Sequence, residues 1–221
     1  VASRPYFVYI AHPLLPERVL RNLLGFYIVE RIRCGHMELL KMEKVGNGRF
    51  LKNYELTYLN KAGHEKKYEM VSRRELSSPE DLGQKPSGVS IVAICQGKML
   101  LLHEFRMGIN RSVYNLCAGM LEEGESVEDC IQRELYEETG LSVKKIRDIL
   151  PASFAAVAFS DVTTYIAIVE AEGQMQDHTS ENEQIDSRFY TREEVRALIQ
   201  TEQFSSRAQL AAYFFAQGAL T

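Results

Sequence analysis

The sequence predicts an α/β fold in which helices cover a β-sheet. Apolar segments of strand-like composition follow one another between residues 54 and 190. A helical segment interrupts them after Ser126, and two more helical segments follow the last strand. With 221 residues, 45% of them hydrophobic and 25% charged, the chain has the length of one domain, or of one domain and an extension.

The charge balance excludes several classes of partner. The formal net charge is -4, and no run of Lys and Arg is long enough for a duplex-binding or membrane-surface patch. We therefore expect a small-molecule partner, with no nucleic acid and no membrane. The four cysteines form no CxxC pair, so neither a zinc site nor a disulfide framework is predicted. Because nothing resembles a secretory signal, the expected location is cytoplasmic.

Residues 1–36 form a segment of different composition, with five Arg against two acidic residues. Apolar side chains between residues 19 and 28 could line a helical face, but charged residues interrupt any membrane-length run. We predict an N-terminal extension of uncertain role: a membrane-surface helix, a partner-docking arm or a loosely packed tail. Met37, which opens "MELLKMEKV", could equally be the native start, and the intact mass of the native protein tests this.

Residues 37–84 are predicted to form an N-terminal β-hairpin region. The strands "YELTYL" and "KYEMVSR" flank the turn sequence "NKAGH", in which Gly63 supplies a permissive backbone. A two-stranded hairpin alone is marginal in water, so it must pack on another surface. Either it folds back on its own sheet, or a symmetric partner covers it.

Residues 85–221 hold the elements of the main sheet. "GVSIVAI" and "KMLLLHEFR" form a strand pair, and "SVYNLC" is a third strand that runs into Gly119. After an acidic stretch come the strands "VTTYIAIVEA" and "IDSRFY". Of the two helices that follow, the first has a capping box from Thr191 to Glu194 and the second opens at Ser205.

The acidic stretch is predicted to be a helix over residues 127–139. Ser126 is a natural N-cap, Gly140 is a natural C-terminal cap, and no Gly or Pro lies between them. Ile131 and Leu135 are four residues apart, so they can face the sheet together.

Glu134, Glu137 and Glu138 lie on a neighbouring stripe of this helix. Like charges four residues apart destabilise a bare helix by a few tenths of a kcal/mol. Taken alone, the stripe is either a solvated acidic face or a site for a hard divalent cation such as Mg²⁺, which binds carboxylate oxygens.

The wider pattern decides between these readings. In "GMLEEGESVEDCIQRELYEETGL", residues 119–141, the Gly, Glu, Arg-Glu-Leu, Glu-Glu and Gly-Leu match every fixed position of the Nudix box. The chain therefore resembles the Nudix hydrolases. This resemblance implies an α/β/α sandwich with a mixed β-sheet, here with the N-terminal β-hairpin as a subdomain.

The resemblance also implies roles for particular residues. Glu134 and Glu138 would be the principal metal ligands for Mg²⁺, with Mn²⁺ possible. Glu137 would be a further ligand or a water-mediated contact. Gly119 would let the strand turn tightly and leave the carbonyl of Ala118 as another ligand.

The remaining polar positions of the box have a structural task in this family. The resemblance implies that Arg133 orients Glu125 through a charge-assisted bond. The reaction implied for the box is hydrolysis of a nucleoside diphosphate linked to another group.

Segments outside the box resemble the ADP-ribose pyrophosphatase branch. "HEFR" and "AGMLEEGE" suggest that Arg106, with Glu104 and Met120, binds the substrate diphosphate. A surface salt bridge between Arg106 and Glu104 is the alternative. "SENEQI" resembles the acidic loop of this branch, so Glu181 is the first candidate for the general base and Glu183 the second, although a loop Glu is usually only solvated.

One departure from the branch concerns substrate choice. Where a Ser-Pro-Gly-like element followed by an acid is expected, the chain reads "SFAAVAFSDV", with Ala155 and Ala156 near the expected Pro and Gly. ADP-ribose is the expected substrate, and GDP-mannose, NADH or dinucleoside polyphosphates are alternatives. A non-catalytic nucleotide-sugar-binding regulator is a further alternative, but no basic helix pair accompanies the box.

The resemblance finally implies a homodimer. In this branch an N-terminal element pairs across a two-fold axis and completes each adenosine site. We expect the hairpin of residues 54–73 to do the same here.

Overall fold

A computed structural model describes residues 36–176 and 181–220. The expectations for the N-terminal extension concern residues 1–35, which lie outside the described part. The described chain divides into two compact units, one ending at Met70 and the other beginning at Val71. None of the helices in these described ranges is long and apolar enough to cross a membrane.

The first unit is built on a three-stranded sheet of β1 (Glu38–Asn47), β2 (Lys52–Leu59) and β3 (Glu65–Ser72). The strands lie in the order β1-β2-β3. The predicted hairpin corresponds to β2 and β3, and Gly63 in its turn has a φ of 79°. Strand β1, which pairs antiparallel with β2, was not predicted because its apolar residues do not alternate regularly and two register shifts interrupt its pairing.

The second unit contains a seven-stranded mixed sheet. In chain order its strands are β4 (Gly88–Cys95), β5 (Lys98–Arg106), β6 (Arg111–Asn115), β7 (Cys117–Met120), β8 (Ser142–Phe154), β9 (Thr163–Glu172) and β10 (Ile185–Tyr190). Five of them follow the order β10-β5-β4-β9-β8, while β6 pairs with β5 and β7 pairs with β4. The pairing of β4 with β9 is parallel, and the other pairings in this sheet are antiparallel.

Helices cover both faces of this sheet, so the predicted sandwich is confirmed. The helices are α1 (Val127–Thr139), α2 (Arg192–Thr201) and α3 (Ser206–Ala216). One buried cluster joins α1 to the sheet through Cys130, Ile131 and Leu135. A second buried cluster joins α2 and α3 to the opposite face of the sheet through residues such as Val195 and Phe215. Burying these apolar surfaces on both faces supplies the main stabilising free energy of the unit.

The helix boundaries follow the predicted caps. The hydroxyl of Ser126 accepts a hydrogen bond from the amide of Asp129 at 3.1 Å, and Gly140 ends α1 with a φ of 72°. Thr191 and Glu194 form the predicted capping box of α2. The hydroxyl of Ser205 caps α3.

Two strand predictions were wrong. "SVYNLC" is not one strand but two, because β6 pairs with β5, β7 pairs with β4, and the buried Leu116 separates them. Strand β8 was missed altogether. It forms an edge of the sheet, carries Lys144, Lys145 and Arg147, and has three register shifts against β9, so its sequence lacks a regular apolar alternation.

Candidate active site

Strand β7 and helix α1 bring the residues of the acidic stretch together. Gly119 lies in β7, opposite Val89 of β4, and the carboxylate of Glu134 lies directly against it. A Cβ at position 119 would stand 1.7 Å from Cδ of Glu134 and within 2.0 Å of both carboxylate oxygens. The prediction that Gly119 serves a tight turn was wrong, since its φ is not positive and it lies in a strand. The glycine is needed to leave room for Glu134.

Arg133 holds the box together as a hub. Its Nε and Nη2 donate to the two oxygens of Glu125 at 2.7 and 2.9 Å, and Nη2 also donates to the carbonyl of Met120 at 2.9 Å. Its Nη1 donates to Glu134 at 2.8 Å and to Glu137 at 3.2 Å. The bidentate bond from Arg133 lowers the pKa of Glu125 to about 2. The expected contact between Arg133 and Glu125 is thus present, and it extends to two further carboxylates.

Glu138 is the most perturbed carboxylate of the cluster. Burial raises its pKa to about 8, although hydrogen bonds from Cys117 and from the amide of Ala118, the latter at 3.1 Å, oppose that rise. Burial also raises the pKa of the neighbouring Glu134. A buried acid and a partly buried acid on one helix cost free energy, and a bound cation would offset that cost.

A cavity of about 450 Å³ opens between these groups. We call it the acidic cavity, and it is lined by residues 118–120, Glu134, Glu137, Glu138 and Glu183. Its oxygen donors have the chemistry that Mg²⁺ and Mn²⁺ prefer. Within residues 36–176 and 181–220, no three His, Cys, Asp or Glu side chains are yet close enough to hold an ion. The carboxylate and carbonyl oxygens that line this cavity nevertheless fit a divalent cation in their chemistry.

A second cavity of about 310 Å³ adjoins the first. We call it the arginine cavity, and it is lined by residues 104–108, Ala118, Glu138 and residues 182–185. Ala118, Glu138 and Glu183 line both cavities. The carboxylates of the acidic cavity and the side chain of Arg106 therefore line two neighbouring cavities that share a wall.

Of the two candidate bases, only Glu183 lines these cavities. Glu181 is exposed, and it borders neither cavity. The end of the segment is fixed by a hydrogen bond from the amide of Phe105 to the carbonyl of Gln184 at 2.9 Å. The placement favours Glu183, which was the second candidate in the sequence.

The three predicted substrate-binding residues occupy different environments. Nη1 of Arg106 donates to Glu104 at 3.2 Å, so the salt bridge considered as an alternative is present. Met120 lines the acidic cavity, and its sulfur lies 3.5 Å from Nη1 of Arg73. Sequence reasoning missed Arg73, because nothing in "SRREL" indicates that it reaches the box.

Glu104 also has a partner that the sequence did not reveal. The carboxylate is buried, and Nδ2 of Asn115 donates to its second oxygen. Asn115 ends β6, two residues beyond the position opposite Glu104. Only the register of β5 against β6 identifies this contact, so the signal was absent from the sequence.

Several known proteins are similar to this chain in sequence. A model of the NUDIX domain matches residues 84–213. ADP-ribose pyrophosphatase from Bacillus subtilis is 27% identical over 130 residues, which cover 58% of this chain and 70% of that protein. ADP-sugar pyrophosphatase from Mus musculus is 27% identical over 136 residues, covering 59% of this chain and 60% of that protein.

Two further similarities are a short sequence match and a structural superposition. NAD-capped RNA hydrolase NudC from Haemophilus influenzae is 42% identical over 59 residues, but the match covers only 26% of this chain and 22% of that protein. A crystal structure described as an ADP compounds hydrolase superimposes with a TM-score of 0.61 at 20% identity, covering 82% of this chain and 92% of that one. This structural likeness shows the fold.

The match to the NUDIX domain, which covers more than half of the chain, defines the class of this protein. The chain belongs to the Nudix family and is a Nudix hydrolase. Enzymes of this family generally use divalent metal ions. The resemblance to the ADP-ribose pyrophosphatase branch is confirmed by the relatives from Bacillus subtilis and Mus musculus.

Proposed function

We propose that this enzyme hydrolyses the diphosphate bond of a nucleoside diphosphate sugar, with ADP-ribose yielding AMP and ribose 5-phosphate. The observation that carries the proposal is the continuity of the acidic cavity with the arginine cavity through Ala118, Glu138 and Glu183. A diphosphate needs a cation for its charge and a guanidinium for its oxygens. The acidic cavity offers oxygen ligands for the cation, and the arginine cavity offers the guanidinium of Arg106.

The carboxylates of Glu134, Glu137 and Glu138, with the carbonyl of Ala118, would hold Mg²⁺, or Mn²⁺ in its place. These residues would thereby supply the site with a Lewis acid, which would neutralise diphosphate oxygens and lower the pKa of a bound water. Arg133 keeps Glu134 and Glu137 oriented while its main bond goes to Glu125.

Glu183 is our choice for the general base, because it borders the space where water and diphosphate would meet. It would take a proton from the attacking water. The new bond joins the water oxygen to phosphorus, and the bridging phosphorus–oxygen bond breaks. The leaving phosphate departs with the bridging oxygen. Arg106 would bind the diphosphate with parallel N–H donors.

A second substrate class follows from a specific observation. The short match to NudC is more identical than the longer matches, although it spans under a quarter of that relative. NADH, which was an alternative from the sequence, therefore stays the first competitor of ADP-ribose. GDP-mannose, dinucleoside polyphosphates and a binding-only regulator remain lesser alternatives.

The substrate test compares initial rates on ADP-ribose, ADP-glucose, GDP-mannose, NADH and a diadenosine polyphosphate at equal concentration with Mg²⁺. We expect the highest kcat/KM on ADP-ribose, with AMP and ribose 5-phosphate as the products identified by chromatography. Faster release of AMP from NADH would move the assignment to the second class. Tight binding of ADP-ribose without any AMP would instead support the regulator.

We also propose a homodimer formed through the N-terminal unit. The unit exposes Leu40, Val45 and Phe50, with 48%, 63% and 68% of their surfaces open. A second copy could bury such apolar side chains.

Sedimentation of the full chain at micromolar concentration should give twice its 25.2 kDa mass. Deleting residues 54–73 should weaken both association and substrate binding while α1 still forms. A monomeric full chain with complete ADP-ribose hydrolysis would overturn the proposal.

The cytoplasmic location stays a prediction from the sequence.

A further inference from the structure

Glu104 is a buried carboxylate at the arginine cavity, and both of its oxygens have donors. Only 6% of the residue is exposed. One oxygen accepts from Nη1 of Arg106 at 3.2 Å, and the other accepts a short hydrogen bond from Nδ2 of Asn115. A desolvated carboxylate depends on such donors, because losing one leaves its charge poorly compensated.

The chemistry of the groups fixes the direction of every hydrogen bond behind Glu104. Nδ2 of Asn115 donates to Glu104, so its Oδ1 points away from that carboxylate. Oγ of Ser205 lies 2.6 Å from that Oδ1 and must donate to it. The same Oγ accepts from the amide of Ala208 at 3.4 Å. A chain of donors thus runs from the first turn of α3 to Glu104.

The backbone holds this chain of side chains in register. Tyr114 donates through its amide to the carbonyl of Gln203 at 2.8 Å, and Ser205 donates to the carbonyl of Tyr114 at 3.0 Å. On the other edge of β6, Val113 lies opposite Glu104, which makes Asn115 a diagonal neighbour of Glu104. Asn115 is therefore held between β5 and the segment that begins α3.

We infer that Asn115 and Ser205 are positioning residues, which hold Glu104 so that its other oxygen fixes the guanidinium of Arg106 at the mouth of the arginine cavity. The side chain of Arg106 is 57% exposed, so it needs an anchor to keep one orientation. Fixing a long side chain before binding reduces the conformational entropy that binding would cost. The inference rests on the proposed function only where it assigns the substrate diphosphate to Arg106.

The key variant is Ser205→Gly. Glycine is nearly as good an N-cap as serine, so the substitution removes the donor to Asn115 with little loss of helix stability. Thr191→Gly is the matched control, because Thr191 caps α2 in the same way and has no contact with Glu104 among the described hydrogen bonds. Asn115→Leu interrupts the chain at its next member.

The first measurement does not depend on any substrate. In ¹H–¹⁵N spectra, the Nε–H signal of Arg106, assigned by its loss in Arg106→Lys, should be sharp in the unaltered enzyme. It should broaden or shift in Ser205→Gly and Asn115→Leu, but not in Thr191→Gly. An unchanged Arg106 signal in Ser205→Gly would overturn the inference, whatever the activity.

The second measurement is steady-state kinetics on ADP-ribose. Ser205→Gly should raise KM about tenfold, the effect of roughly one weakened charge-assisted contact, while kcat changes little. In an Arg106→Ala background the same substitution should raise KM no further, since its effect passes through Arg106. Equal KM increases in Ser205→Gly and Thr191→Gly, or additive effects in the double variant, would contradict the inference.

The two measurements separate the inference from the proposed function. A changed Arg106 signal with an unchanged KM would leave Asn115 and Ser205 as positioning residues, and it would remove Arg106 from the substrate site. Changes in both would support the inference and the role of Arg106 together.

Discussion

Glu138→Gln is expected to lower kcat by about 100-fold or more while the fold is kept, which is the scale of losing one catalytic electrostatic group. Glutamine has the shape of Glu138 and can still accept the hydrogen bond from the amide of Ala118. It cannot supply the negative charge that a cation in the acidic cavity requires. Steady-state rates on ADP-ribose at saturating Mg²⁺ measure the effect.

A thermal melt gives a second readout that is independent of turnover. Because a cation that binds only the folded protein stabilises it by mass action, Mg²⁺ should raise the Tm of the unaltered enzyme. The increase should shrink in Glu138→Gln and persist in Glu128→Gln, whose side chain is exposed on the first turn of α1. Full turnover in Glu138→Gln, or an equal Tm increase in both variants, would remove Glu138 from the site.

Gly119→Ala is expected to lower kcat by a comparable amount, about 100-fold. The added Cβ would occupy the space of the Glu134 carboxylate, only 1.7 Å from its Cδ. Glu134 must then move away, which also breaks its 2.8 Å bond from Nη1 of Arg133. The measurement is kcat on ADP-ribose, with circular dichroism to verify that the protein is folded.

Gln132→Ala is the control for this substitution. Gln132 is exposed on α1 and lines neither the acidic cavity nor the arginine cavity. Its kcat should stay within about twofold of the unaltered enzyme, as for most surface substitutions. If Gly119→Ala were as active as this control, the close approach of Gly119 to Glu134 would not be required for activity.

Much of the fold was predictable because its signals are local. The caps at Ser126 and Gly140 fixed α1, and the Thr191 capping box fixed the start of α2. Short apolar segments of strand-like composition located most strands of the main sheet. The spacing of the box also predicted which carboxylates would share one stripe of α1.

Other features depend on contacts between residues far apart in the chain. Nothing near Glu104 indicates that Asn115 and Ser205 support it, since strand register and helix placement create those contacts. The preference for Glu183 over Glu181 likewise depends on the hydrogen bond that fixes Gln184 to Phe105 of β5. Strand β8 was missed because an edge strand with many charges lacks apolar alternation.

The break between β6 and β7 makes the length of this segment a functional property. Asn115 ends one strand and supports the arginine cavity, while Gly119, four residues later, makes room in the acidic cavity. Adding or removing one residue between them would turn one of the two side-chain sets to the opposite face of the sheet. Insertions are better accommodated at the exposed turns of residues 60–64 and 96–97. The distance along the chain from Asn115 to Gly119 therefore matters to the two cavities as much as the identity of either residue.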